Sequence, residues 1–461
     1  SSINIENYQR IRKILRTPGL SDLNNKTNLF KTNIVSVPGQ NNWEPLKGSG
    51  TTKPTLKNIF KFNALKDEIQ DIMSCLYHPE EELELELDEG FRGRPSIGSA
   101  AILSRIHENE PFWQTIFNSI DSAKQGNEVR IFLVSSIFGG QGASGFPSIA
   151  RLIRRILEQK GIKEGVYIGG ALMLPYFSFP KPPDTETGLF AYSDSFLEQT
   201  KGALDYYGRL FDEKNYQKTF DQLYVVGWDP LIQLKTFAKG GPNQNNPALL
   251  PELFTSLAAS KFYEDKLIDE GIFYIAKNED DAFSWPDLPS IKLGDKNFVK
   301  KCLSQFTRTA LSYREIYYPN LTIDKWRKVK RESWLRNLLT KQGVNLDNEE
   351  TAVNLLSINK YFESYLEWLA TMIHQSNEFT KNNINLIDVN QYSQFDDSLQ
   401  GIGVTLNEKL NNNQLKQFGK IISDSRLGDL SSVFLRMNYA KVPRNRSGLG
   451  SFMGALYDSC K

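Results

Sequence analysis

The residues best suited to chemistry in this chain are the glycines of Phe138-Gly139-Gly140-Gln141-Gly142-Ala143-Ser144-Gly145, with Pro147 two positions beyond. Glycine permits backbone conformations barred to other residues and lets a ligand approach the main chain closely. Successive N–H groups in such a turn, placed at a helix start, can hold a phosphate, and Ser144 can add a hydroxyl donor. A plainer reading stands beside it, a tight strand-to-helix turn that binds nothing.

The elements on either side must aim this turn. Val129-Arg130-Ile131-Phe132-Leu133-Val134 is a β-branched and aromatic run suited to a buried parallel strand. From Ser148 onward Ile149, Leu152, Ile153, Ile156 and Leu157 recur at helical spacing, with Arg151, Arg154, Arg155 and Lys160 between them. Pro147 suits the start of that helix and Gly161 its end, and Val166-Tyr167-Ile168 opens a second strand. The unit is βαβ, with the positive end of the helix dipole at the glycines. No Gly-Lys-Ser/Thr follows, which excludes the P-loop. Gly140, Gly142 and Gly145 have the G-x-G-x-x-G spacing of a dinucleotide site, but the next strand closes on Leu174-Pro175-Tyr176 rather than on an acid.

The stretch from Gly139 to Ala150 resembles the glycine-rich phosphate loop and following helix of the tubulin/FtsZ superfamily, whose loop is a G-G-T-G-[ST]-G run and whose FtsZ branch carries a proline in the helix. Upstream, Gly90-Phe91-Arg92-Gly93-Arg94-Pro95-Ser96-Ile97-Gly98 is similar to the earlier phosphate-facing loop of FtsZ, which ends in P-x-[IV]-G and runs into a helix. Downstream, Gln222 to Val226 looks like the family's next strand, and the run Leu249, Leu250, Leu253, Phe254, Leu257, Ala258 resembles its central helix. The resemblance covers roughly residues 85 to 270. It implies a Rossmann-like parallel sheet of tubulin/FtsZ type with helices on both faces, a guanine nucleotide as ligand, and GTP, alone or with Mg2+, as the cofactor. The phosphates would rest on Gly139, Gly140, Gln141, Gly142, Ala143, Ser144 and Gly145, with Gly93, Arg94 and Gly98 facing the terminal phosphate. Asp229, just after the strand, is the approximate counterpart of a family asparagine near the base and ribose, and Asn246 stands in the polar loop Gly240 to Pro247. Asp265 and Asp269 correspond to the paired acids that complete hydrolysis in a neighbouring subunit, with a solvated acidic helix end as the alternative.

The departures from the family are specific. Gln141 replaces its threonine, Ser144 its last loop glycine, and the asparagine of its acidic motif is missing. Ser1 to Asn42 holds no strand followed by a glycine-rich loop, the element with which the family opens, so the sequence either starts after that element or lacks it. Three functions follow as expectations. The first is a guanine-nucleotide-binding protein, potentially a GTPase acting through head-to-tail assembly, with a homo-oligomer or another protein as partner. The second is a non-hydrolysing assembly protein, and the third an NAD(P)-binding oxidoreductase resting on the glycine spacing alone.

At 461 residues with 40% hydrophobic content the chain can bury a substantial core. A net charge of +1 gives no global field for nucleic acid or membrane. Cys75, Cys302 and Cys460 are too scattered for a disulfide framework, and with His78, His107 and His374 as the histidines no metal site is expected. No apolar run reaches about twenty residues and no signal peptide is visible, which points to the cytoplasm. The organisation expected is an irregular opening segment over 1–80, a nucleotide-binding domain over 81–289 and a mainly helical C-terminal domain over 290–461. In the last, Tyr361, Phe362, Tyr365, Leu366, Trp368, Leu369, Met372 and Ile373 form one apolar stripe that packs on a core. The acid–leucine alternation from Glu80 to Glu89 suits an edge strand or charged loop, and the basic-aromatic run Lys325 to Arg331 with Trp334 reads as a solvated helix face in preference to a nucleic-acid contact.

Overall fold

A computed structural model describes residues 54–87, 90–105, 111–181, 192–210, 218–229, 231–234, 249–264, 270–277, 285–289, 295, 297–322, 325–378, 430–443 and 446–461. They form two compact units, one made of the described residues up to Leu234 together with Pro251–Lys277, the other of Leu249, Leu250 and the described residues from Trp285 to Lys461.

The first unit begins with four helices, α1 (Leu56–Ile59), α2 (Asp67–Leu76), α3 (Pro95–Arg105) and α4 (Pro111–Ala123). The described part of the expected irregular opening is thus helical, and α1 inserts Leu56 and Ile59 into a core with Phe91, Ile97 and Ile102. The acid–leucine run feeds the same core without forming a strand. Leu83, Leu85 and Leu87 are buried there, while Glu84 pairs with Lys57 on the outside.

The sheet follows. Its strands β1 (Val129–Ser136), β2 (Val166–Met173), β4 (Gln222–Trp228) and β6 (Gly271–Lys277) lie in that order, every neighbouring pair parallel. Between them in sequence, β3 (Phe177–Ser178) and β5 (Ile232–Gln233) make a separate two-stranded parallel pair. The crossovers include α5 (Gly140–Gln159), α6 (Phe196–Leu210) and α7 (Leu250–Glu264). Ile153 and Leu157 of α5 pack with Trp113 and Ile120 of α4 over Val166 and Ile168, one face of the sheet. On the other face Ala258 of α7 packs on Ala171 and Tyr224, with Phe132 and Phe273 alongside. The unit is therefore an α/β fold with helices on both faces of a parallel sheet. The run expected to form a central helix, Leu249 to Ala258, lies in α7 from Leu250 onward, and α7 precedes β6 of the same sheet.

Parallel strands place all carboxyl ends at one edge, so Ser136, Met173 and Trp228 lie on the same side of the unit. The opposite edge is tied by Asp221, which is 7% exposed. Its Oδ2 accepts from the Arg154 guanidinium and from the Ile168 N–H, both at 2.6 Å. Its own N–H donates to the Ile168 carbonyl at 2.8 Å, and its carbonyl accepts from the Gly271 N–H at 3.0 Å. Lys218 adds a second cation at 3.5 Å. One residue thus joins α5, β2, β4 and β6.

The second unit is helical among its described residues: α8 (Phe298–Ser312), α9 (Tyr318–Leu321), α10 (Ser333–Leu338), α11 (Glu349–Glu378), α12 (Leu430–Asn438) and α13 (Gly448–Ser459). A π-turn, Tyr313–Tyr317, joins α8 to α9 and turns Arg314 and Glu315 inward, where they pair with each other. Arg308, 1% exposed, donates to the Cys460 carbonyl at 3.0 Å. From the expected stripe, Phe362, Leu366 and Leu369 are buried, and Tyr365 meets Phe306 edge-on with centroids 4.6 Å apart.

Asp221→Ala removes the acceptor of the buried Ile168 N–H and the carboxylate that pairs with the Arg154 guanidinium. Asp221→Ala is expected to cost about 3 kcal/mol or more of unfolding free energy, measured as a shift in urea midpoint. Arg209→Ala, which among the described residues loses the exposed contact to Asp205, should change it by less than about 0.5 kcal/mol. Equal shifts in the two variants would remove Asp221 from this role.

Candidate functional site

The expected phosphate turn is built by β1, by the aromatic residues after it and by the first turn of α5. Ile137 extends the strand pairing, its N–H donating to the Met173 carbonyl at 2.9 Å. Phe138 then turns into the protein, 4% exposed, with its ring 5.8, 5.4 and 4.8 Å from those of Tyr176, Phe177 and Phe196. Burial, and then the neighbouring Glu252 that accepts from its hydroxyl, push the Tyr176 phenol well above the usual range. With Phe138 anchored, Gly139 is left extended as the N-cap of α5 and offers no side chain to the helix.

The helix begins at Gly140, not at Pro147. The sequence reading of a loop over 138–145 is therefore corrected: Ala143, Ser144 and Gly145 are helical and buried, and the Ala143 N–H already donates to the Gly139 carbonyl at 2.9 Å. Ser144 turns its hydroxyl back on the Gly140 carbonyl at 2.7 Å and the Gln141 carbonyl at 3.1 Å. The N–H groups left without intrahelical partners are those of the first turn, Gly140, Gln141 and Gly142. Around them Gly139, Gln141 and Gly142 are half-buried, and the helix dipole concentrates positive potential there.

Two of the glycines are required by close approach. A Cβ on Gly140 would lie 2.7 Å from the Arg94 backbone nitrogen and 3.0 Å from Phe91. One on Gly142 would lie 2.4 Å from the Ser135 hydroxyl and 2.6 Å from the Ser136 carbonyl. The upstream loop expected to face a terminal phosphate is thus packed on the first turn of α5. That loop passes through Gly93 at φ +77°, a left-handed conformation suited to glycine. Further along α3, Gly98 meets the Ser144 side chain, where a Cβ would sit 2.3 Å from its oxygen. The Arg94 guanidinium is engaged by Glu82 at 3.3 Å and by the Arg92 carbonyl at 3.0 Å.

Pro147 sits inside the helix, where it can supply no N–H to the carbonyl four residues back. That carbonyl belongs to Ala143, and the buried Tyr207 hydroxyl of α6 donates to it instead. Burial pushes the Tyr207 phenol far above its ordinary range, which keeps the donor protonated. Sequence reasoning did not find Tyr207: a proline within a helix signals an orphaned carbonyl, but nothing local says which residue satisfies it.

The remaining expected residues are dispersed. Asp229 is exposed immediately after β4, on the carboxyl edge of the sheet. Asn246, Asp265 and Asp269 lie outside the described residues. The basic face of α5 is used within the fold, Arg154 on Asp221 and Lys160 on both oxygens of Asp121 at 2.7 and 2.8 Å. In the second unit Trp334 of the basic-aromatic run is buried, while Trp326 and Arg327 both donate to Asp347. Among the described residues no group of three or more His, Cys, Asp or Glu is placed to hold a metal ion, and no helix is long and apolar enough to cross a membrane.

A four-stranded parallel sheet with helices on both faces and a glycine-rich helix start at its carboxyl edge is an α/β architecture compatible with a Rossmann-like fold. Comparison with protein-family models, curated proteins and solved structures gave no match for this chain.

If Tyr207 replaces the donor that Pro147 lacks, Tyr207→Phe should cost about 1–3 kcal/mol by orphaning a buried carbonyl. Most of that loss should disappear in a Pro147→Ala background, where residue 147 regains an N–H. A double-mutant cycle by denaturant titration reads the coupling, and simple additivity would refute it.

Proposed function

We propose that the α/β unit is a nucleotide-binding module of tubulin/FtsZ-like type, with a guanine nucleotide, GTP, on the first turn of α5. The supporting observation is convergence. The loop carrying Gly93 and Arg94 packs on Gly140, so two separate segments, each expected from sequence to face phosphate, meet at one uncapped helix start. Phosphate would be held by backbone N–H groups of Gly140, Gln141 and Gly142 with the helix dipole behind them. Asp229 is exposed on the same edge, within the set of residues that a base or ribose could meet. Turnover would need carboxylates from a second subunit in head-to-tail assembly, Asp265 and Asp269 in this reading.

A binding and assembly protein without turnover is the second reading. It is favoured by Ser144 and Arg94, whose polar groups are already engaged inside the fold. An NAD(P) enzyme rests only on the spacing of Gly140, Gly142 and Gly145.

The Gly139→Asp variant separates fold from ligand. Gly139 has the extended conformation of an N-cap, φ −96° and ψ 143°, and a Cβ there would meet only the Ser136 hydroxyl, at 3.3 Å. A carboxylate N-cap should leave stability unchanged or raise it by up to about 1 kcal/mol, while repelling phosphate and weakening GTP binding at least tenfold in calorimetric titration. Undiminished GTP affinity would place the nucleotide elsewhere, and a thermal shift with NADPH but none with GTP would overturn the guanine assignment. For hydrolysis, Asp265→Asn and Asp269→Asn should abolish phosphate release while GTP affinity stays within about twofold; unchanged turnover removes both residues.

A further inference from the structure

The helical unit contains a cavity of about 480 Å³ that the proposed nucleotide chemistry does not use. Its walls come from α8, α11 and α13: Phe306, Ile358, Phe362 and Met453 are apolar, and Tyr361 and Tyr457 add two further rings. Phe306 meets Phe362 at 5.6 Å and Tyr361 at 6.2 Å between centroids, so the aromatic walls brace one another. The volume lies in the range of small-molecule sites, which combine apolar walls with a few placed polar groups.

Among the described residues, the charged groups at this cavity are Arg446 and Asp458, both exposed. Asp458 is neutralised by Lys461 at 2.7 Å. The Arg446 guanidinium has no ion pair or hydrogen bond among the described residues, and its stem passes over Gly454. A Cβ at 454 would lie 3.0 Å from Arg446 Cδ and 3.3 Å from Nε, so the glycine leaves the arginine room to lie close to α13. Guanidinium groups recognise carboxylate, sulfonate and phosphate through paired donors.

We infer that this cavity is a binding site for a small amphipathic anion, with its flat apolar body against the wall formed by Phe306, Tyr361 and Phe362 and its anionic group on Arg446. The site lies wholly within the helical unit and stands independently of the nucleotide reading.

A pair of fluorescent probes tests it on the full chain, with excess GTP present throughout. One is 8-anilinonaphthalene-1-sulfonate, the other its neutral analogue N-phenyl-1-naphthylamine, which keeps the rings and lacks the sulfonate. Saturable binding of the sulfonate at one site is expected, weakened about tenfold or more by Arg446→Gln, with binding of the neutral probe changed by less than about twofold. Gly454→Leu, which obstructs the mouth, should weaken both probes; Ile358→Trp, which fills the cavity from another helix, should do the same if Gly454→Leu fails to fold. No saturable binding under these conditions, or equal loss of both probes in Arg446→Gln, would each overturn the assignment.

Discussion

A carboxylate taken out of water costs several kcal/mol unless charged or polar donors surround it, and Asp221 is surrounded. Arg154, Lys218 and the Ile168 N–H converge on it from a helix, a loop and a strand. Because Arg154 lies toward the end of α5, this contact fixes that helix by its C-terminal half against one edge of the sheet. The opposite end of the same helix is thereby aimed at the carboxyl edge, where Gly139 and Gly140 follow β1. The candidate site is a consequence of an interaction at the far side of the sheet.

At the near end the helix start is assembled against its own propensities. Glycine in a helix costs about 1 kcal/mol relative to alanine, and an interior proline more. Neither cost stands alone here. Gly140 and Gly142 let the Arg94 backbone and the end of β1 approach within distances that a Cβ would forbid, and Tyr207 replaces the bond that Pro147 removes. The sequence features that resemble a phosphate loop are therefore also what allow three segments to meet. Packing explains Gly140 and Gly142, and the N–H groups of the first turn have no partner within the helix.

The strands were legible because a parallel sheet buried on both faces demands continuous β-branched and aromatic runs, and Val129–Val134, Val166–Ile168 and Gln222–Val226 are such runs. The fourth strand, Gly271–Lys277, went unread: Ile272 and Tyr274 are exposed on an edge strand, where apolar alternation reports little about burial. The helix start was misplaced for a stated reason. Proline marks first turns statistically, and a donor 64 residues away along the chain is invisible to local patterning. The acid–leucine run shows the converse. Its period of two correctly separates buried Leu83, Leu85 and Leu87 from the acids, yet the segment pairs with no strand. Asn246, Asp265 and Asp269 lie outside the described residues, so their part in the site rests on resemblance.

The Tyr207 contact also has a bearing on when this fold is completed. Protein synthesis adds roughly 5–20 residues per second, so the 64 residues separating Ala143 from its donor take roughly 3 to 13 seconds to make. During that interval α5 can form and β2 can pair, but one carbonyl in the second turn of the helix has no partner within the chain so far made. The glycine-rich end of α5 is thus secured by a side chain that arrives after β1 and β2 have been made, and its C-terminal half is secured later still, because Asp221 follows Tyr207 in the chain.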